Sequence, residues 1–246
     1  MYSKNIVVVG IFVVDLSFKA KKLPIPGETI IGEKYFIGPG GKGSNQAIAI
    51  KRSGGNVSLI ARIGNDQFGK MGIKLHQSEG TNTEGLIIAK GELTGAATIA
   101  IDSKGMNSII VVPGASSGLT SQMIQNKLSL IKQSSIMLTG FEVNHKTTEK
   151  ALLIAKQNNL KTILNPAPFI DFNDKMLSLV DYLTPNEHEA FQMTGVKIKD
   201  LSSAKEAGRI LCKMGVEMAI ITLGSRGTIC ISKDNKEKIP TVIITS

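Results

Sequence analysis

The chain has 246 residues, 42% of them hydrophobic, and a net charge of +9. That length supports a full core and excludes a disulfide-stapled miniature or a disordered tail. The basic residues are scattered, and with 4% aromatics and no tryptophan there is no stacking platform for single-stranded nucleic acid, so nucleic acid is not an expected partner.

The run Ile6–Val14 is apolar and is followed by Asp15. It is far shorter than the ~20 residues of a membrane helix and no small-residue cleavage pattern follows it. It reads as buried strand, and no membrane partner is expected. Ile6–Gly10 is the first strand, β-branched and apolar throughout. Phe12–Phe18 and Thr29–Gly38 are strand-like without an intervening helix. Ser44–Ser53 reads as a helix stopped by Gly54-Gly55. Val57–Ile63 is a strand, Gly64-Asn65-Asp66 a turn and Asp66–Glu79 a helix. Thr94–Asp102 and Met106–Val112 form a hairpin around Ser103-Lys104-Gly105. Helices follow at Gln122–Gln133, His145–Asn158 and Ser202–Met214, with strands at Ser135–Gly140, Lys161–Leu164 and Met218–Leu223. Strands spaced by helices predict an α/β fold with a mostly parallel central sheet and right-handed crossovers. The irregular strands, drawn from about 12–38 and 94–112, predict a small antiparallel lid on a single domain of residues 1–246. Cys212 and Cys230 lack metal-ligand spacing and read as reduced, buried residues of a cytoplasmic protein.

Several segments carry candidate chemistry. Gly38-Pro39-Gly40-Gly41-Lys42-Gly43-Ser44-Asn45-Gln46 precedes a helix. Its glycines permit close backbone approach to a ligand, and the helix start offers open N–H groups. The glycine spacing is not that of a Walker loop; a plain flexible loop is the competing reading. Asp15 is read at the end of an apolar strand, where open α/β sheets present ligand-binding side chains. Glu142 follows the apolar run Ile136–Phe141 in the same way. Asn165-Pro166-Ala167-Pro168 ends another strand. Thr184-Pro185-Asn186-Glu187-His188-Glu189 opens a helix, and Ile221–Gly227 ends a strand in a glycine turn that also fits a hairpin. Gly114-Ala115-Ser116-Ser117-Gly118 matches a hydrolase nucleophile elbow in spelling. A serine hydrolase would need a placed histidine, and His76, His145 and His188 show no paired spacing. The same lack of spacing argues against a zinc site.

Taken together, these segments resemble the ribokinase-like, or PfkB, sugar kinases. The resemblance rests on Val7-Val8-Val9-Gly10 with Asp15, on Pro26-Gly27-Glu28-Thr29, and on Gly40-Gly41-Lys42-Gly43-Ser44-Asn45-Gln46-Ala47. It continues through Ile63-Gly64-Asn65-Asp66 with Gly69, Asn165-Pro166-Ala167-Pro168, Thr184-Pro185-Asn186-Glu187 with Glu189, and Ile221–Gly227. It implies a ribokinase-like fold, cytoplasmic, with a β lid that pairs two subunits into a homodimer. It further implies transfer of the γ-phosphoryl of ATP, with Mg2+, to the 5-hydroxyl of ribose. By matching position, Asp15, Gly41, Lys42, Gly43, Asn45 and Glu142 are implied to bind the sugar. Asn186 and Thr222, Leu223, Gly224, Ser225, Arg226 and Gly227 are implied to hold the nucleotide, and Glu189 to belong to the magnesium and water network.

Two departures from the family pattern shape the expectation. Val13 stands where the family carries an asparagine that contacts the sugar; losing such a bond costs ~1–3 kcal/mol. The family's general base, the last aspartate of an Asp-Thr-x-x-Ala/Gly-Gly-Asp turn, would lie beyond Ser246, so no catalytic residue is named within the sequence. Adenine contacts and a K+ site are expected to be missing with it, and the chain alone is expected to have little kinase activity. The alternatives are a non-catalytic sugar- or nucleotide-binding module and, at the margin, a serine hydrolase.

Overall fold

The computed structural model describes residues 5–234 and 237–238. The chain divides into two compact units, one of residues 1–9 with 128–246 and one of residues 10–127. Strand β1 (Asn5–Val9) belongs to the first of these, and its Val7, Val8 and Val9 are fully buried. Burial on both faces is the environment that a continuous β-branched run in a parallel sheet requires.

The unit of residues 10–127 begins with β2 (Val13–Lys19), β3 (Lys34–Gly40), α1 (Lys42–Arg52), β4 (Asn56–Gly64) and α2 (Gln67–Ser78). It continues with β5 (Leu86–Ala89), β6 (Thr94–Ile101), β7 (Asn107–Gly114) and the short α3 (Ser121–Gln125). β4 and β5 pair in parallel. The small sheet has the order β3-β2-β6-β7. Its outer ladders are antiparallel, while the central β2–β6 ladder is parallel. The parallel pairing follows from the connection: residues 20–93 lie between those two strands, a crossover long enough to carry helices, where a hairpin would have forced the opposite sense. The predicted strand Thr29–Gly38 starts only at Lys34. Residues 29–32 carry no regular structure, and the turn lies just before them at Pro26-Gly27, where Glu28 N–H donates to the Ile25 carbonyl at 3.0 Å.

Successive side chains of β2 alternate between faces. Phe12, Val14 and Leu16 form one apolar cluster with Ile63, Phe68, Ile73, Leu75 and Leu86. Val13, Asp15 and Ser17 therefore share the other face. Asp15, read as ending a strand, is instead the third of seven residues of β2. The apolar run that precedes it is broken at Gly10-Ile11-Phe12, where a β-carbon on Gly10 would fall 2.6 Å from the Gly43 Cα.

The other unit adds α4 (Leu128–Lys132), β8 (Ile136–Gly140), α5 (His145–Gln157), β9 (Lys161–Asn165), β10 (Tyr182–Leu183) and α6 (Glu187–Thr194). It closes with α7 (Leu201–Lys213), β11 (Met218–Thr222), β12 (Thr228–Ser232) and β13 (Glu237–Lys238). Within it the strand order is β1-β8-β9-β10-β11-β12-β13, parallel as far as β11 and antiparallel after it. The helix expected at Gln122–Gln133 is two short helices, α3 and α4, separated at Asn126 and Lys127. The Lys127 N–H bonds three residues back to Ile124 at 2.9 Å and its ammonium donates to the Glu84 carbonyl at 2.6 Å, which ends the α-helical ladder there. One core cluster of this unit is built on Leu152, Leu164, Leu177, Leu183, Leu211 and Ile221.

Cys212 is buried and free, and burial pushes its thiol pKa up. Cys230 is only half-buried, because its β12 position alternates with the fully buried Ile229 and Ile231.

Candidate functional site

In the unit of residues 10–127 the centre of the candidate site is Asp15. Its carboxyl is half-buried, and burial raises its pKa above the ordinary 3.8. Among the described residues no protein group donates to it, so its acceptor capacity is left for a ligand. Opposite it in the ladders stand Gly38 on β3 and Ala97 on β6, while its neighbour Val13 faces Gly40 and Gly95. A β-carbon at Gly40 would fall within 2.7 Å of the carboxylate carbon and both its oxygens. The next residue, Gly41, has φ +87°, and a β-carbon there would also strike the Ile11 carbonyl. Two adjacent glycines are thus required, one by the carboxylate and one by the backbone turn into α1.

The first turn of α1 carries Lys42, Gly43, Ser44 and Asn45. Gly41 caps it without a side-chain bond. Instead the Ser44 N–H donates to the Ile11 carbonyl at 3.1 Å, and the Ser44 hydroxyl lies 3.0 Å from His76 Nε2, buried. Lys42 and Asn45 are exposed. Asn45 borders a shallow groove of about 320 Å³ with Pro39, Ile48, Ala49, Arg52 and Leu75. The structure therefore brings Asp15 and the glycines together directly, whereas Asn45 and Asp15 share no hydrogen bond among the described residues.

Asp66, in the turn that leads into α2, has an architectural task. Its carboxylate accepts from Gly69 N–H at 2.8 Å, from Thr94 N–H at 2.9 Å and from the Thr94 hydroxyl at 2.6 Å. Burial opposes the charge, but these bonds outweigh it and hold the pKa below its ordinary value. Ser116 is equally structural. It is buried in a 3-10 turn, Ala115–Gly118, and its hydroxyl reaches the carbonyls of Phe12 and Arg62, each at 3.1 Å. A nucleophile needs an adjacent base and access to substrate; Ser116 has neither, and the hydrolase reading falls. His76, the histidine of this unit, is partnered by Ser44.

In the other unit, Asn186, Glu187, His188, Thr222, Gly224, Ser225, Gly227 and Thr228 line an open cavity of about 540 Å³. β11 and β12 form an antiparallel pair, joined by a 3-10 turn at Gly224–Arg226. Gly224 (φ +57°) and Gly227 (φ +90°) take backbone angles that side chains resist. Leu223 N–H closes the turn onto the Gly227 carbonyl at 2.8 Å. Arg226 donates to Glu187 at 2.6 Å and to the Lys199 carbonyl at 2.8 Å, so its guanidinium braces the cavity wall.

Asn186 and Glu189 form a capping box on α6: Glu189 N–H donates to Asn186 Oδ1 at 2.8 Å, and Asn186 N–H to Glu189 Oε2 at 2.9 Å. Asn186 also bridges to Thr222. Thus Asn186 and the 222–227 turn are brought together, with Glu189 buried behind them at 7% exposure. Glu142 lies two residues past β8, half-buried.

Sequence reasoning missed the Ser44–His76 pair. The available signal was position: Gly69, Gly72 and His76 fall on one stripe of α2 and are its buried residues, so a histidine there requires a partner. Arg226–Glu187 and the cap–turn bridge carried no sequence signal.

A mostly parallel sheet packed by helices, a small four-stranded sheet bearing a carboxylate between glycines, and a glycine-turn cavity at a sheet end together define a protein of the ribokinase-like class. The family model described as pfkB family carbohydrate kinase matches residues 3–246, and the chain belongs to that family. Ribokinase of Haemophilus influenzae is 37% identical over 236 residues, covering 96% of this chain and 77% of that protein. The bifunctional ribokinase/ribose-5-phosphate isomerase A of Fructilactobacillus sanfranciscensis is 37% identical over 238 residues, 96% of this chain but 44% of that protein. The chain therefore spans less than half of that two-function relative. Among solved structures, the Arabidopsis thaliana ribokinase complexed with ribose and ATP matches with a TM-score of 0.91 at 26% identity, over 98% of this chain and 78% of that one. These similarities carry the sugar-kinase class. They lend no support to the expected loss of activity. That expectation was drawn from a motif placed beyond Ser246, and residues 239–246, which would lead to it, lie outside the described residues.

Proposed function

We propose that this protein binds a pentose of the ribose type and ATP, and serves transfer of the γ-phosphoryl group to the 5-hydroxyl of the sugar. The observation that carries the reading is the Asp15 carboxylate: half-buried, without a protein donor among the described residues, and enclosed by Gly40 and Gly41. A desolvated carboxylate of this kind matches the paired hydroxyls of a sugar, and it rejects ligands that would leave it unpaired. Lys42, Gly43 and Asn45 on the same turn supply further polar contacts. Glu142 is assigned to the sugar by family position alone.

ATP is assigned to the cavity of Asn186 and the 222–227 turn by its lining and by family position, with Arg226, paired to Glu187, shaping the wall. In the transfer, the bond from the γ-phosphorus to the β,γ-bridging oxygen breaks, one to the sugar oxygen forms, and the hydroxyl loses its proton. No general base is assigned among the described residues. Magnesium supplies charge neutralisation when bound. The described residues contain no cluster of three or more Asp, Glu, His or Cys that could hold it, which fits an ion carried mainly by nucleotide phosphates and water, as Mg2+ commonly is. Glu189 is assigned to that ion's water network by family position, one of its oxygens being committed to the cap.

A homodimer through the small sheet is part of the same proposal. Phe18, Tyr35, Ile110 and Val112 on one face of that sheet, and Phe36, Ile109 and Val111 on the other, are each 45–65% exposed, apolar surface of the kind a second subunit covers. No helix among the described residues is long and apolar enough to cross a membrane, and a cytoplasmic setting is proposed.

Titration calorimetry with D-ribose and with a non-hydrolysable ATP analogue tests the reading. Saturable heats for both are expected, and the ribose heat is lost in Asp15→Ala. A chain that binds neither ligand, or binds ribose equally well without Asp15, overturns it.

A further inference from the structure

We propose that His76 is a positioning residue for the sugar-binding turn, a claim that rests on the assignment of Asp15 and Lys42–Asn45 to the sugar. The first turn of α1 has no side-chain cap, yet it must hold Lys42, Gly43 and Asn45 in one place. Productive geometry in such a site tolerates displacements of only about 0.5 Å. The turn is tied down at Ser44. That hydroxyl meets His76 Nε2 at 3.0 Å, both residues being 0% exposed.

The same imidazole touches the segment that leads to Asp15. Its ring packs edge-on against Phe12, with centroids 6.1 Å apart and planes at 74°. Phe12 in turn occupies the space above Gly72, where a β-carbon would fall 2.6 Å from the ring. Gly72 and His76 are one helical turn apart on α2, so a single stripe of that helix grips Phe12, three residues before Asp15, and Ser44, the neighbour of Gly43 and Asn45. One side chain thus joins both halves of the proposed sugar site.

Core packing alone does not account for a histidine here. His76 Nδ1 is buried without a hydrogen-bond partner among the described residues. An unpaired buried polar atom is a cost that leucine at this position would avoid. Among the described residues, the arrangement keeps a destabilising group whose one hydrogen bond is to the turn of α1.

The test uses the whole chain and three variants: His76→Leu, which fills the space without the bond; His76→Gln, whose amide reaches the Nε2 position; and Ser44→Ala. Ribose binding is measured by calorimetry, and backbone exchange over residues 41–45 by hydrogen–deuterium mass spectrometry. His76→Leu and Ser44→Ala are each expected to weaken ribose binding about tenfold or more and to speed exchange in that segment. Affinity for the ATP analogue stays unchanged, and His76→Gln restores most of the ribose affinity. A folded His76→Leu chain with ribose affinity within about twofold of wild type and unaltered exchange overturns the proposal. If His76→Leu does not fold, Ser44→Ala decides by the same two readouts. A wild-type chain that binds no sugar sinks the pentose reading, and the exchange rates then decide the positioning claim by themselves.

Discussion

Gly40 and Asp15 share one volume: the space a β-carbon would take on Gly40 is filled by the Asp15 carboxylate. Gly38, directly opposite Asp15 in the β2–β3 ladder, has open space where its own β-carbon would be. Two glycines two residues apart on one strand thus face opposite constraints. Gly40→Ala is expected to push the carboxylate from its position, cost roughly 1–3 kcal/mol of overpacking and weaken ribose binding about tenfold or more. Gly38→Ala is expected to stay within about 0.5 kcal/mol of wild type in a urea melt and to keep its ribose affinity. Equal effects of the two substitutions would show that Asp15 is not confined by Gly40.

Asp15 holds a charge where burial disfavours it, and its pKa is raised. A carboxyl whose folded pKa lies above its unfolded value of 3.8 opposes folding while ionised; the opposition declines as pH falls through the folded value and is gone below the unfolded one. Asp15→Asn is therefore expected to raise the melting temperature at pH 7 while weakening ribose binding. The wild-type affinity should decline as pH drops through the raised pKa, because the protonated acid loses acceptor capacity. A melting temperature lowered by Asp15→Asn would place the carboxylate in the structural framework instead of the site.

The parallel sheet was legible because its strands are β-branched runs punctuated by glycine, asparagine and proline, and Val7–Val9 fill the buried-strand role that pattern implies. The short strands were not. Tyr182–Leu183 has two residues, and Leu86–Ala89 follows a turn with no alternation to mark it. Neither carries a periodicity of its own, and each is fixed by neighbours far away in sequence. At the site, Asp15 and the glycine segment were legible as a set. The reason for each glycine was not, since Gly40 answers to a side chain and Gly41 to a backbone angle. The Ser44–His76 pair joins residues 32 apart on different helices, a relationship no local spacing encodes.

Asp181 anchors the sheet of the unit of residues 1–9 and 128–246, at a point remote in role from either ligand. It is 4% exposed; burial alone would raise its pKa, but Lys156, Lys161 and the Thr162 N–H more than offset this and hold it far below the ordinary value. A depressed carboxyl contributes stability that is fully present above its unfolded pKa of 3.8 and lost as pH falls further. Asp181→Ala strips a partner from the half-buried Lys156 and leaves the buried Thr162 N–H unpaired, and is expected to cost about 1–3 kcal/mol. Denaturant unfolding at pH 7 measures it. A loss under about 1 kcal/mol would mean that solvent already screens the network.

His76 makes the same kind of demand on pH, in a higher window. Burial lowers its pKa below the ordinary 6.5, with Glu79 pulling weakly the other way. The groups around it are Ser44 on α1, Phe12 before β2, and, one turn on, Glu79, whose charge is engaged by Arg52 of α1 at 2.9 Å. In the unfolded chain the imidazole takes up a proton below pH 6.5, while the folded chain resists it, so unfolding gains protons and stability falls as the solution is acidified from pH 7 toward 5. His76→Leu removes that dependence. Its stability is expected to change less between pH 7 and pH 5 than that of wild type, even where its absolute value at pH 7 is lower. Melts of the two chains across that interval give the comparison, and parallel curves would show that the imidazole titrates alike in both states and sits in an environment wetter than the Ser44–His76 contact implies.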